Sequence, residues 1–373
     1  MQAVFCGNVL GDFEEGQGMI QSYLADDIGC DHVPATRFEG ACASGTMAMR
    51  DAFMWVASGF YDIVLAGGTE RATAMGTSLA TRSFAMFADS RYEYPAGMTF
   101  PAFFALLAHL YADRYKIPLE RLKEQMALVS VQSHHYGARN PHGQFKKEIS
   151  VQTVLNSFMV TTPLQLFDCC PFSDGAAAVV LASEAVARKR VAQPVFISGV
   201  GQASSGRMSS QYKYLPRIRA RELSVQQAYR MAGVGPGDID VCELHDCFSD
   251  ALQRDLLTGL SCRGCGQVTC PPRMTCLTCG GCDLEKVNLC GRGTIRSLTT
   301  TFVAPLGRDD EAPYTIVLVE LDEGPWIIGN LIGVDPAQVG MDMIGRGVKM
   351  GHKIFAGDRY SAGEAARPVF CPA

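Results

Sequence analysis

The stretch Glu39-Gly-Ala-Cys42-Ala-Ser-Gly-Thr-Met-Ala-Met49, followed at residue 62 by Asp-Ile-Val-Leu-Ala-Gly-Gly68, decides the fold class. Apolar residues recur at helical spacing from Ser44 to Ser58, whereas the run after Asp62 is apolar without alternation, as in a strand buried on both faces. Ala176-Ala-Ala-Val-Val-Leu-Ala182 reads as a second buried strand and Phe103–Tyr115 as a second helix. This interleaving predicts a layered α/β domain over residues 1–190. Cys42 lies among tiny residues immediately before the helical pattern. Its sulfur is therefore expected near a helix N-terminus, where free N–H groups and the helix dipole favour thiolate. The competing reading is a buried cysteine at a tight strand-to-helix packing site.

A partial second α/β unit is expected over residues 191–260. It would hold a strand at Pro194-Val-Phe-Ile-Ser-Gly-Val-Gly201, a helix near Ser224–Ala232, a turn at Gly235-Pro-Gly, and a strand at Ile239–Leu244. Two knuckles follow, Cys262-Arg-Gly-Cys265 and Cys276-Leu-Thr-Cys279, with ten residues between them. Each knuckle supplies two thiolates from one tight turn, so the pair suits a tetrahedral zinc site in a ribbon spanning 261–283. Four thiolate ligands leave no open position, which makes the metal structural. Pro271, Pro272, Gly266 and Gly280 supply turn residues. From 284 to 373 the texture changes to short β-rich runs, Gly293–Phe302, Tyr314–Glu320 and Trp326–Leu331, separated by Gly, Pro and Asp. Such a pattern predicts a small barrel of OB-fold type, with a poorly ordered tail after Gly363.

Composition narrows the function classes. The 373 residues are 47% apolar and carry a net charge of −5, ample for buried cores and without the basic stripe that a phosphate backbone attracts. Nucleic acid is not an expected partner. The N-terminal residues lack a positive segment followed by a long apolar one, and no long uncharged apolar run occurs. A cytoplasmic protein without membrane contact is expected. The 15 cysteines are then read as reduced thiols and metal ligands rather than a disulfide framework. Cys6, Cys30 and Cys290 are expected as small buried hydrophobes, and Asp174-Gly175 as a turn.

Taken together, the Cys42 segment, Ala66-Gly-Gly-Thr-Glu70, Asn140-Pro141, Ser173-Asp-Gly-Ala-Ala-Ala178 and Glu243-Leu-His-Asp-Cys-Phe248 resemble the thiolase family, most closely its sterol-carrier-type branch. The resemblance spans about residues 1–255 in the family's order. It implies an acyl-cysteine intermediate at Cys42, coenzyme A thioesters as substrates, and His245 in an oxyanion site. His134 and His135 receive no catalytic role. Similarly, Cys262-x2-Cys-Gly, Pro271-Pro-Arg, Cys276-x2-Cys-Gly, Gly291-Arg-Gly-Thr-Ile, Pro313-Tyr and Val319-Glu-Leu-Asp-Glu-Gly-Pro325 resemble the ribbon plus OB-fold proteins of the DUF35 family. That family's members commonly pair with thiolase-like enzymes, so the chain resembles a covalent fusion of two usually separate subunits.

The sequence departs from the thiolase pattern after the His-Asp-Cys-Phe segment. No Gly-His-Pro motif, whose histidine activates the nucleophile, is present, the Cys-x-Gly strings Cys262-Arg-Gly264 and Cys279-Gly-Gly281 belong to the knuckles rather than to the family's later motif, and the opening strand and helix are short of the family pattern. Exposed apolar surface, and a partner subunit or homo-oligomer to cover it, are therefore expected. The leading expectation is an acyltransferase performing thiolytic cleavage or Claisen condensation of a 3-oxoacyl-CoA. A retro-aldolase on a branched acyl-CoA and a non-catalytic component that binds coenzyme A thioesters or scaffolds a thiolase complex are the alternatives.

Overall fold

The computed structural model describes residues 1–14, 16–241, 243, 245, 258–269, 276, 278–305, 307–355 and 365–373. The chain begins with β1 (Val4–Gly7), α1 (Gly11–Glu14), α2 (Ile20–Asp27), β2 (Ala35–Phe38), α3 (Ser44–Ala57) and β3 (Ile63–Arg71). A helical stretch follows, α4 (Gly76–Ala85), α5 (Phe100–Tyr115), α6 (Leu119–Arg139) and α7 (Val151–Leu155), then the short strands β4 (Met159–Thr161) and β5 (Leu164–Gln165). Next come β6 (Asp174–Ala182), α8 (Glu184–Arg190) and α9 (Arg219–Ala232). The strands of the last part are β7 (Thr258–Cys262), β8 (Val268–Thr269), β9 (Leu284–Asn288), β10 (Arg292–Thr301), β11 (Tyr314–Leu321), β12 (Trp326–Leu331), β13 (Gly347–Phe355) and β14 (Ala365–Pro372).

Contacts divide the chain into two compact units that do not follow chain order. The first takes residues 1–76, 171–205 and 218–246, the second 77–170, 206–217 and 247–373.

The first unit is built on a sheet of order β2-β1-β3-β6, parallel except for the antiparallel β3–β6 pair. One face packs against α3 through Ala3, Phe5, Ala48, Ala52, Val64 and Ala66. The small residues of α3 let its backbone lie close to the strands. A Cβ on Gly7 would stand 2.5 Å from the Gly45 nitrogen. The strand expected at 176–182 is present as β6, but it is largely exposed rather than buried, with Val179 48% and Val180 61% accessible.

Two further expectations for this unit are corrected. Residues 194–201 form no strand, and Val195 is 97% exposed. Nor do the described residues between 239 and 243 form one. Apolar runs become strands only when a neighbour supplies the ladder, and among the described residues none pairs with them. Asp174 opens β6 instead of turning the chain. Its carboxylate accepts the N–H groups of Ala72 (2.8 Å) and Thr73 (2.9 Å) and the Thr73 hydroxyl (2.6 Å), fastening the end of β3 to the start of β6. The Thr73 hydroxyl and N–H groups hold this carboxyl below the usual range.

In the second unit, β10, β11, β12, β14 and β13 close into a five-stranded barrel. The order is β10-β11-β12-β14-β13 and back to β10, antiparallel throughout except for the parallel β12–β14 pair. This is the Greek-key barrel of the OB-fold. Ile295, Val317, Val319, Ile327, Val348 and Phe370 fill its interior. The tail expected to be poorly ordered is β14 over its described part. Val369 and Phe370 are buried, held in place by the pairing of β14 with β13 and β12, a strand that its own Ala365, Ala366, Pro368 and Pro372 conceal in the sequence.

The helical segment from 77 to 170 folds onto this barrel. β4 pairs with β10 at Thr161 and Thr301, and α5 lies along β10, with the Ser297 hydroxyl donating to the Leu106 carbonyl at 2.8 Å. The buried run Thr299-Thr-Thr301 is tolerated because its hydroxyls are satisfied. Thr161 Oγ1 lies 2.6 Å from that of Thr299 and 3.1 Å from that of Thr301, and Thr300 meets Thr315 at 2.9 Å. Tyr314 donates to the Gly97 carbonyl at 2.5 Å and Asn330 to that of Ala96 at 2.9 Å. Each of these buried donors has its partner in the helical segment or the next strand, as burial requires.

Candidate functional site

Cys42 is delivered by β2, which runs into Gly40 and then a single 3-10 turn, Ala41–Ala43, leading straight into α3. The cysteine is exposed, which removes the buried-packing reading. The turn is unusual in one respect. Ala41 has a φ of 50°, a left-handed conformation that costs a residue with a Cβ about 1–2 kcal/mol. Side chains fix the backbone around it. Glu39 Oε1 accepts the Ala41 N–H at 2.6 Å, while Ser44 Oγ accepts the Gly40 N–H at 2.9 Å and donates to the Ala41 carbonyl at 2.6 Å. Ser44 is 4% exposed, locked in the first turn of α3. The result is a thiol presented to solvent at the positive end of a 14-residue helix, the setting that favours thiolate.

His245 lies in the same unit, outside any helix or strand, and is exposed. Most of the surrounding motif, including Leu244 and residues 246–248, falls outside the described residues. His134 and His135 sit on α6 and contact Lys147 and Glu148, in keeping with a structural role. Among the other cysteines, Cys6 is buried and burial pushes its thiol up. Cys30 is half-buried. Cys290 is exposed rather than buried, its N–H donating to Glu323.

The second unit carries the cysteine cluster. β8, β7 and β9 form a small antiparallel sheet beside which Cys262, Cys265, Cys276 and Cys279 converge, their sulfurs all within 4.8 Å of one another. Cys262 and Cys279 approach to 3.5 Å, as do Cys265 and Cys276. The knuckles are near copies. In each, the N–H of a glycine four residues on bonds back to the first cysteine's carbonyl, Gly266 to Cys262 at 2.7 Å and Gly280 to Cys276 at 3.0 Å. Both glycines have φ of 73°, where a side chain would be strained. Pro271 and Pro272 lie outside the described residues.

A tetrahedron with Zn–S bonds of about 2.3 Å has S–S edges of about 3.8 Å, so the sulfurs need little movement to close on zinc. Their protons are unevenly held. Hydrogen bonds from the Cys279 and Thr278 N–H groups bring Cys276 down to about 6. At Cys265 a lowering bond from Gln267 is outweighed by the neighbouring thiols, which push it up to about 12. A soft divalent cation would replace these shared protons.

Comparison with known proteins agrees with both halves. Residues 1–185 match the thiolase N-terminal domain, residues 201–257 a thiolase C-terminal domain-like family, and residues 286–350 the ChsH2 C-terminal OB-fold domain. The chain thus carries thiolase domains followed by an OB-fold domain of the ChsH2 type. An acetyl-CoA acetyltransferase of Methanothermobacter thermautotrophicus is 39% identical over 249 residues, 67% of this chain and 63% of that protein. The benzoylsuccinyl-CoA thiolase subunit BbsB of Thauera aromatica is 32% identical over 256 residues, 67% of this chain and 62% of that protein. The chain therefore spans somewhat under two thirds of these relatives. In fold it is similar to a monomeric SCP2-thiolase like protein type 1 from Mycobacterium smegmatis, with a TM-score of 0.64 and 16% identity over 99% of this chain and 89% of that one. Among the described residues, no helix is long and apolar enough to cross a membrane.

The four cysteines singled out by the knuckle spacing converge, and Cys42 lies exposed just before α3. Sequence reasoning missed Glu39 and Ser44, whose contribution is a hydrogen-bonded turn. The signal was present in the acidic and hydroxyl residues flanking Gly40-Ala41, a pattern that satisfies backbone N–H groups before a helix.

Proposed function

We propose that the chain is a cytoplasmic thiolase-type acyltransferase that handles 3-oxoacyl-CoA through an acyl group on Cys42. The observation that carries this is the exposed Cys42 in a strained turn at the head of α3, within a segment that matches the thiolase N-terminal domain. In thiolysis the Cys42 sulfur adds to the C3 carbonyl and the C2–C3 bond breaks. Its electron pair leaves on the departing acetyl-CoA enolate, which takes up a proton. A coenzyme A thiol then displaces the acyl group from sulfur, giving up its proton as the Cys42 thiolate is restored. Claisen condensation is the same sequence reversed. His245 is assigned to the oxyanion site, where a donor aimed at the developing charge lowers the barrier.

The cluster of four cysteines is assigned to one structural zinc, because four thiolates leave no position for substrate. No Gly-His-Pro motif occurs in the sequence, so the proton transfers require a group from elsewhere. A second copy or a thiolase or DUF35-type partner subunit is the proposed source. The exposed apolar residues Val179, Val180, Val195 and Phe196 support such an assembly, and the Thauera relative is itself named a subunit.

The test offers acetoacetyl-CoA and coenzyme A to the full chain, both by itself and combined with the partner subunit it binds. Thioester loss, a mass increment on Cys42, and loss of both in Cys42→Ala would support the proposal. Cleavage of a β-hydroxyacyl thioester that survives Cys42→Ala would replace it with a retro-aldolase. Neither activity, with zinc and partner binding retained, would leave a scaffold.

A further inference from the structure

We propose that Glu39 is a positioning residue for Cys42, an inference that rests on Cys42 being the acylated group. Both peptide planes around Ala41 are held by side chains. The plane before it is held at both ends, the Ala41 N–H donating to Glu39 at 2.6 Å and the Gly40 carbonyl accepting from the Ala43 N–H at 3.1 Å, the shorter bond being the one to Glu39. The plane after it, which carries the Cys42 N–H, is fixed through the Ala41 carbonyl, which accepts from Ser44 at 2.6 Å. Between them Ala41 keeps a φ of 50°, which an alanine would abandon for the right-handed or extended region if released. Because Cys42 is the next residue, that relaxation would swing its Cα–Cβ bond away from the helix N-terminus.

The two clamps differ in kind. Ser44 belongs to α3, is almost fully buried and also binds Gly40, so its loss would disturb the helix start itself. Glu39 is exposed. Without it water can solvate the Ala41 N–H, and no buried group is orphaned. Removing Glu39 therefore loosens the turn, which keeps the backbone bonds from Ala43 N–H to the Gly40 carbonyl and from Ser44 N–H to the Ala41 carbonyl, without unfolding the unit. Gly40 cannot substitute as the stiffening element, since a Cβ there would stand 2.1 Å from Met47 Sδ.

The reading makes a distinctive demand on residue 41. Glycine adopts positive φ without a steric penalty, so Ala41→Gly removes most of the need for the clamp. The experiment measures the single-turnover rate of acyl-Cys42 formation by mass spectrometry, using the full chain with acetoacetyl-CoA. In parallel, the rate at which iodoacetamide alkylates residue 42 is followed.

Glu39→Ala should slow acylation about tenfold, the size of the left-handed penalty, with an unchanged melting temperature. Glu39→Gln, whose amide oxygen can accept the same bond, should stay within about threefold of wild type. In the Ala41→Gly background the loss on Glu39→Ala should shrink to about twofold or less. The proposal is overturned if Glu39→Ala acylates at the wild-type rate, if Glu39→Gln falls as far as Glu39→Ala, or if the loss is undiminished with Gly at 41. Wild-type protein that never acquires an acyl group on residue 42 would defeat the parent reading. The same three comparisons on alkylation rate would still decide the role of Glu39.

Discussion

Buried His109 should make the second unit acid-sensitive in a way that a single substitution reveals. The ring lies in α5 with 2% of its surface exposed, and its Nδ1–H donates to the Ala105 carbonyl at 2.9 Å. Burial disfavours the imidazolium and brings the pKa down to about 4, against a smaller opposing effect of the Ala105 bond. The folded value lies below that of the unfolded chain, about 6.5. The associated stability is therefore complete above about pH 6.5 and is lost as the pH falls toward 4. A shift of about 2.5 units corresponds to about 3 kcal/mol over the whole window, of which about 2 kcal/mol disappears between pH 7 and pH 5.

The chain has two tryptophans, Trp55 in the first unit and Trp326 in the second. Urea unfolding followed by fluorescence in a Trp55→Phe background therefore reports the barrel side alone. The stability gap between His109 protein and His109→Gln should change by about 2 kcal/mol between pH 7 and pH 5, the histidine form losing more. Asp168, raised by burial, titrates in both proteins and cancels in the difference. Parallel losses in the two proteins would refute the reasoning, for they would mean that His109 either is hydrated or finds a partner when protonated.

Three other outcomes are expected. Freshly purified protein should hold one zinc per chain, and Cys276→Ser should drop the metal well below one equivalent by elemental analysis while opening the ribbon. Phe370→Ala, which empties a fully buried position in the barrel, should cost about 3–5 kcal/mol in denaturant unfolding monitored at Trp326. Asp174→Ala should speed hydrogen exchange at the Ala72 and Thr73 amides that the carboxylate holds. Because that carboxyl titrates below its usual range, wild-type protection should be constant at neutral pH and fade only as the pH drops below about 4.

Local signals made most of the elements readable. The runs at 293–302, 314–320 and 326–331 became β10, β11 and β12 within a residue or two, because strands of a small closed barrel carry β-branched and apolar residues bounded by turn formers. Helix α3 was equally legible, and the knuckle spacing alone identified the converging sulfurs. What stayed hidden depends on contacts distant in sequence. β14 closes the barrel by its parallel pairing with β12, where Val369 meets Asn330, nearly forty residues earlier. The exposure of β6 and the irregular path of 194–201 reflect the lack of a covering or pairing element among the described residues, which no local pattern encodes. Likewise the strained Ala41 could not be foreseen from composition, since alanine is an unremarkable residue until its φ is known.

The pairing of β4 with β10 joins residue 161 to residue 301, on opposite sides of the segment at which a gene fusion would be sought. A protease cut near residue 260 would not release two independent proteins. The upstream fragment would keep the helices that clothe the barrel, and the downstream fragment would keep a barrel stripped of its wrapping. Co-expressed, the pieces should reassemble as a split protein. Any shuffling of the ribbon and barrel onto another acyltransferase would have to carry residues 77–170 along as luggage.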